Sequence, residues 1–323
     1  MRYLDAGGDR LSLIGVGTWQ FGSREWGYGA AYAEGEAGRI VQRALELGIN
    51  VVDSAEIYGF GRSERIVGEA IAGQRDRVFL ATKMFPALPL APIVGQRGRG
   101  SARRLGVDTI DLYQIHQFNP VVPLRLQMTA MRALADAGLV RHVGVSNFSL
   151  SQWQASEAAY GGPVLANQVR LSLVDRRPLA QMVPWATSRD RVVIAYSPLG
   201  QGLLSARYDA ATAPRNGVRS FNPHFLPENL ERAAPLLGAL RSVATTHDAT
   251  PAQVALAWVI RRPNVIAIPG ASSVAQLEHN AAAADLELSP QEDAELTAAA
   301  ETFKPTVGPA AWGALARRRL RSR

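Results

Sequence analysis

The 323-residue chain contains no cysteine. That absence excludes disulfides, thiolate nucleophiles, cysteine-ligated zinc and iron–sulfur clusters together. Long apolar runs are missing too, and none approaches the roughly 18 residues that a spanning helix needs. The opening Met1-Arg2-Tyr3-Leu4-Asp5 reaches an acid too early for a secretory signal. The expectation is a soluble, cytoplasmic protein that does not engage a membrane.

Lysine is almost absent. Of 35 basic residues only Lys83 and Lys304 are lysines. Arginine and lysine differ most where a compact ammonium must sit beside another titrating group. Lys304 lies in a polar terminal stretch, whereas Lys83 ends an apolar run and asks for a reason. Excess charge is likewise thinner than the formal +7 suggests. Arg317, Arg318, Arg319, Arg321 and Arg323 crowd the last seven residues, and the other 316 carry only +2. No basic-aromatic pattern accompanies that tail, so nucleic acid is not an expected partner and residues 304–323 read as a solvated basic terminus.

What the chain does have is one repeated pattern: a β-branched run, a polar residue at its end, a loop, then a helical stretch. The runs end near residues 18, 53, 83, 116, 146, 168, 196 and 269, from Leu13-Ile14-Gly15-Val16 to Val265-Ile266-Ala267-Ile268. Helical spacing fills the gaps, as in Ile40-Val41-Ala44-Leu45 and Leu124-Met128-Met131-Leu134. Ser149-Leu150-Ser151-Gln152 and Ser289-Pro290-Gln291-Glu292 have the form of capping boxes, and Thr250-Pro251 that of an N-cap with proline behind it. Eight buried-type strands alternating with helices imply parallel pairing by right-handed crossovers. They close most naturally into a (β/α)8 TIM barrel. The competitor, a doubly wound two-domain sheet, lacks a linker or composition shift to divide the chain. Residues 1–13 read as a hairpin flooring the barrel, residues 200–228 as a long loop serving as a lid, and the C-terminal end as an extra helical segment. The whole chain, 1–323, is read as one domain.

In such barrels the active site lies at the C-terminal ends of the strands. Those ends carry Asp53, Lys83, His116, Ser146, Gln168 and Tyr196, and the loop after the second strand adds Tyr58. Each has an ordinary structural alternative: a helix-capping aspartate, a packing tyrosine, a hydrogen-bonded histidine. An acid, an ammonium, an imidazole and a phenol converging on one barrel mouth are harder to explain as four accidents. A G-x-G-x-x-G dinucleotide fingerprint fails, because the sixth position from Gly15 is Gln20. No HExxH or other metal-ligand spacing is present, and no metal is expected.

Several segments together resemble the aldo-keto reductase superfamily over nearly the whole chain. They are Gly15-Val16-Gly17-Thr18-Trp19, Asn50-Val51-Val52-Asp53-Ser54-Ala55-Glu56-Ile57-Tyr58-Gly59, Ala81-Thr82-Lys83 and Asp111-Leu112-Tyr113-Gln114-Ile115-His116. Gly144-Val145-Ser146-Asn147-Phe148 and Tyr196-Ser197-Pro198-Leu199-Gly200-Gln201-Gly202 complete the series. The resemblance implies a catalytic tetrad of Asp53, Tyr58, Lys83 and His116. It assigns Gly17, Thr18, Trp19 and Asp53 to cofactor binding and Ser146, Asn147 and Gln168 to the nicotinamide carboxamide, with Tyr196 as the stacking platform. Ser197, Leu199 and Gly202 match the pyrophosphate cradle, and Arg207 a basic residue over the cofactor. Gly270, Ser272, Ser273, Gln276 and Asn280 match the 2′-phosphate loop in a form without lysine or arginine, similar to the potassium-channel β-subunit branch. NADP(H) is the implied cofactor, with NAD(H) in contention.

The implied activity is reduction of an aldehyde or ketone, and its chemistry suits these residue types. Tyrosine has a pKa of about 10 and holds its proton near neutral pH. An ammonium beside it favours the phenolate and makes it a better acid. His116 is suited to orient the carbonyl oxygen by a hydrogen bond. Trp26, Phe85 and Phe118, with Tyr58 and His116, are the expected walls of a pocket for a small-molecule carbonyl compound. A cofactor-sensing regulatory subunit resembling the channel β subunits is the alternative, although that branch tends to lack the histidine. The sequence sets neither the substrate nor the oligomeric state.

Overall fold

The structure, a computed structural model, describes residues 1–22, 32–214 and 217–321. Within them, β1 (Tyr3–Ala6) and β2 (Asp9–Ser12) form an antiparallel hairpin in which Leu4 faces Leu11. Eight strands then follow: β3 (Val16–Gly17), β4 (Val51–Asp53), β5 (Phe79–Met84), β6 (Ile110–Ile115), β7 (Val140–Ser146), β8 (Ala166–Arg170), β9 (Val192–Tyr196) and β10 (Val265–Ala267). Each pairs in parallel with the next, from β3 through β10. The ring closes where Gly15 donates to the carbonyl of Ala267 at 2.8 Å and Ala267 to that of Leu13 at 2.9 Å. This is the (β/α)8 barrel expected from the repeat.

The apolar residues divide into two layers, as alternation along barrel strands requires. Val51, Phe79, Ala81, Leu112, Ala166, Ile194 and Ile266 fill the interior, and Ala6 and Leu11 of the hairpin pack among them. The hairpin therefore plugs the end opposite the site. Between the strands and the helices lies a larger core that includes Val52, Leu80, Tyr113, Val143, Trp153 and Trp258.

Helix starts follow the expected caps. Ser149 with Gln152, Thr250 with Gln253 and Ser289 with Glu292 all form reciprocal capping boxes. Helices Pro290–Thr302 and Pro309–Arg321 make up the added C-terminal segment, so the basic end continues a helix. The long connection after β9 is built of short 3-10 turns at Gly200–Ser205, Val218–Phe221 and Pro223–Phe225. No helix among the described residues is long and apolar enough to cross a membrane.

Candidate active site

The strand ends converge on a cavity of about 340 Å³, within the range of small-molecule sites. At its base, Asp53 ends β4 and Lys83 lies on β5, both buried. Lys83 Nζ donates to Asp53 Oδ1 at 2.6 Å and to the Ser54 carbonyl at 2.7 Å. The other carboxylate oxygen, Oδ2, accepts from Gln168 Nε2 at 2.8 Å and from Gln114 Nε2 at 3.5 Å. Alternation explains the choice of neighbours: Gln168 turns inward, while adjacent Asn167 turns outward and donates to the Phe148 carbonyl at 2.9 Å. A hydroxyl cluster holds the pair from behind. Ser63 Oγ lies 2.9 Å from Ser54 Oγ and 2.7 Å from Thr18 Oγ1, and Thr18 donates to the Asp53 carbonyl at 2.9 Å.

Burial pushes the Asp53 carboxyl up and the Lys83 ammonium down, and each partner's opposite charge pulls the other back. Lys83 Nζ lies 5.1 Å from the ring centroid of Tyr58, whose other neighbours include His116, edge-on at 5.8 Å. The lysine is expected to draw the phenol down, but the balance in this state runs the other way. Burial first, then the charge of Asp53 and the neighbouring Tyr196, raises Tyr58 well above its ordinary value. The phenol is thus firmly protonated.

His116 is pushed down to about 3 by burial and by the charge of Lys83, so its ring is neutral near neutral pH. Its Nδ1 is buried with no hydrogen-bond partner among the described residues. A proton placed there would be a buried donor without an acceptor, which costs more than an unshared lone pair. The neutral ring therefore carries its proton on Nε2.

Around this base, Gly17, Thr18, Trp19, Ser146, Asn147, Gln168, Tyr196, Ser197, Leu199, Gly202, Gly270, Ser272 and Gln276 line the cavity with Asp53, Tyr58 and His116. Asn147 and Ser197, each following a strand end, hold left-handed backbones at φ 59° and 49°. Non-glycine residues pay strain there, and such strain clusters at functional sites. Tyr196 Oη donates to Asn147 Oδ1 at 2.8 Å, which fixes the orientation of its ring. Gly202, at φ 101°, accepts a turn that side-chain-bearing residues resist.

Some expected residues stand elsewhere. Arg207 is exposed and off the cavity; among the described residues of the long loop Arg219 lines it, and its Nε donates to the Gln201 carbonyl at 2.8 Å. Ser273 caps the helix Val274–Ala282, and Asn280 reaches the Gly270 carbonyl at 3.4 Å from a buried position. Phe118 packs edge-on against Phe148 at 5.3 Å, and Phe85 is half-exposed outside the lining. Trp26 lies outside the described residues.

Sequence reasoning did not find Gln20, Ile57, Gln117, Arg170 or Gln201 on the lining. Arg170 had a usable signal, being two positions beyond Gln168 on the same strand face. Gln20, the residue that breaks the glycine fingerprint, bonds the Ala271 carbonyl at 2.9 Å. A Cβ at Gly270 would lie 2.6 Å from that side chain, so glycine permits the contact. Among the described residues no group of histidine, aspartate and glutamate has the arrangement of a metal site.

A strand-end Asp–Lys pair, a phenol and an imidazole at the mouth of a (β/α)8 barrel define a class, and comparison with known proteins gives the same one. Residues 13–301 match the Aldo/keto reductase family, and the chain belongs to that family. It is 55% identical over 306 residues to an uncharacterized oxidoreductase of Mycobacterium tuberculosis, with 94% of each chain covered. Aldo-keto reductase YhdN of Bacillus subtilis is 32% identical over 317 residues, again with 94% of each covered. Among solved structures, an aldo/keto reductase from Klebsiella pneumoniae in complex with NADP and acetate superposes with a TM-score of 0.76 at 30% identity, over 94% of this chain and 95% of that one. A glycerol dehydrogenase from Gluconobacter oxydans gives 0.85 at 28% identity, over 95% and 98%.

Proposed function

We propose that this protein is a carbonyl reductase of the alcohol dehydrogenase type, reducing aldehydes or ketones with NADP(H) and using Tyr58 as the acid. The observation that carries the reading is the buried Lys83–Asp53 pair beneath Tyr58, with neutral His116 on the same cavity.

The cavity lining suits a dinucleotide. Ser146, Asn147 and Gln168 offer amide and hydroxyl groups for a carboxamide, and Tyr196 a ring face. Ser197, Leu199 and Gly202, with the guanidinium of Arg219, suit a pyrophosphate, and Gly270 to Gln276 an adenosine end. A bound reduced nicotinamide supplies the hydride. His116 Nε2–H donates to the carbonyl oxygen and orients it, an interaction that strengthens as negative charge develops there. Tyr58 transfers its proton to that oxygen. The phenolate left behind is stabilised by the nearby ammonium of Lys83, which Asp53 and Ser54 hold in place. The high phenol pKa of the resting site keeps the acid loaded until the oxygen becomes basic enough to take the proton.

The test is turnover of a simple aromatic aldehyde, followed by loss of reduced-nicotinamide absorbance. Steady NADPH-dependent turnover is expected. Tight dinucleotide binding without turnover of any carbonyl compound would favour the regulatory-subunit reading instead.

A further inference from the structure

The loop Gly270–Ser273 leads into the helix Val274–Ala282, and the stretch from Gly270 to Asn280 contains neither lysine nor arginine. Ser272 and Gln276 line the adenosine end of the cavity. The groups that a phosphate would use there are already engaged. Ser272 N–H and its hydroxyl both donate to Gln276 Oε1, at 2.7 and 2.8 Å. Gln276 N–H donates to Ser273 Oγ at 3.2 Å. The first helical N–H, that of Val274, donates at 2.8 Å to Glu36 Oε1, a carboxylate 238 positions away in the chain.

Glu36 is held at that helix end. It closes the short helical turn Tyr32–Glu36, whose Tyr32 hydroxyl donates to the Ala271 carbonyl at 2.7 Å, and Arg39 pairs with it at 2.5 Å. The Val274 N–H, more than Arg39, keeps the carboxyl below its usual range, so it is ionised near neutral pH. Arg43, on the helix that follows, is paired with Glu46 and with Glu278, each at 2.8 Å.

We infer that Glu36 is a cofactor-specificity residue: its carboxylate occupies the helix end that would favour a 2′-phosphate and so keeps NADH competitive with NADPH. This rests on the dinucleotide reading above. A 2′-phosphate brings roughly −1.5 to −2 charges to the neighbourhood of a fixed carboxylate, an unfavourable like-charge contact. A ribose 2′-hydroxyl carries no charge and meets no such penalty, and it is a natural donor to a carboxylate. The same N-terminal helix field that would reward a phosphate is spent on Glu36.

The experiment measures dissociation constants for NADPH and NADH by calorimetry on the full chain and on two variants. Glu36→Gln retains an oxygen for Val274 N–H and removes only the charge; Glu36→Ala removes both. In Glu36→Gln, NADPH should bind roughly five- to tenfold more tightly while NADH changes by less than about twofold. A ratio of the two constants that stays put in both variants overturns the inference, even with both dinucleotides bound. An equal weakening for both in Glu36→Ala, with no change of ratio in Glu36→Gln, also overturns it, marking Glu36 as a holder of the loop. If the unmodified chain binds neither dinucleotide, the dinucleotide reading itself falls and takes the inference with it.

Discussion

At one end of the cavity, Asp53, Lys83, Ser146 and Gln168 stand on four strands of one ladder, each oriented by groups on its neighbours. At the other, Ser272, Ser273 and Gln276 sit on one loop and the first turn of the helix it leads into and satisfy one another, with Glu36 and Gln20 arriving from the far side of the ring closure. The strand end concentrates charge in a buried place, where moving any one group leaves another unpaired. The loop end is partly exposed, and its polar groups have local substitutes. A site that moves protons needs the first arrangement, because its groups must be set before the substrate arrives. A site that recognises a nucleotide tolerates the second, and its selectivity can be tuned by a residue from elsewhere.

The contrast predicts the largest effect at the strand end. Tyr58→Phe removes the proposed proton donor and little else, so kcat should fall by a factor on the order of 10²–10⁴. The dissociation constant of NADPH should change by less than about twofold. Wild-type kcat in this variant would remove Tyr58 from the acid's role and erase the proposed division of labour.

Lys83→Met tests whether the strand end is a coupled unit. It leaves Asp53 buried with a charge and only the two glutamines to answer it. Breaking a buried pair in this way costs about 3–5 kcal/mol, and the melting temperature should fall accordingly. Adding Asp53→Asn should recover most of that stability and none of the turnover. If the single variant melts like the parent, the pair is not what holds this end of the cavity.

A smaller effect comes from His116. Its folded pKa of about 3 lies below the ordinary 6.5, so the unfolded chain takes up a proton over a range where the folded chain does not. Stability must therefore fall as the pH drops below the unfolded value. Between about pH 7 and about pH 5 the contribution amounts to roughly 2 kcal/mol. His116→Gln should flatten the melting temperature over that range relative to the parent. Parallel curves would mean that the folded imidazole titrates as it does in the unfolded chain, so that burial and Lys83 do not hold it neutral.

Much of this contrast was legible before the fold. A β-branched run followed by a polar residue marks a barrel strand's end, and the scarcity of lysine singled out Lys83, which is fully buried on Asp53. Strand periodicity carries that information locally. The loop end is different, because Glu36 and Gln20 reach it only through ring closure, and no local pattern encodes a contact across 238 or 251 residues. Arg207 and Arg219 show the same limit. Which arginine of a long loop faces the cavity depends on left-handed turns at Gln201, Gly202 and Ala206 that composition does not fix. Phe118 went to Phe148 because an aromatic near a strand end has a packing partner as available as any substrate.

The smallest predicted effect sharpens the distinction between holding a loop and choosing a ligand. Gln20 is nearly buried, and its Nε2 donates to the Ala271 carbonyl, which also accepts from Tyr32. Gln20→Ala therefore removes one of two bonds to a single oxygen, and Tyr32 keeps that carbonyl satisfied. The net loss is that of one ordinary hydrogen bond, about 0.5–1.5 kcal/mol. It appears as loop ordering that the dinucleotide must supply on binding, so affinity should weaken about two- to tenfold. The change should be the same for NADH and NADPH, since Gln20 contacts the loop backbone and carries no charge. Turnover at saturating cofactor should be unaltered, because Gln20 has no bond to the Asp53–Lys83 pair. Separate dissociation constants for the two dinucleotides, beside kcat, decide it. A change in their ratio would give Gln20 a part in selection, and a fall in kcat would show that the two ends of the cavity are not independent.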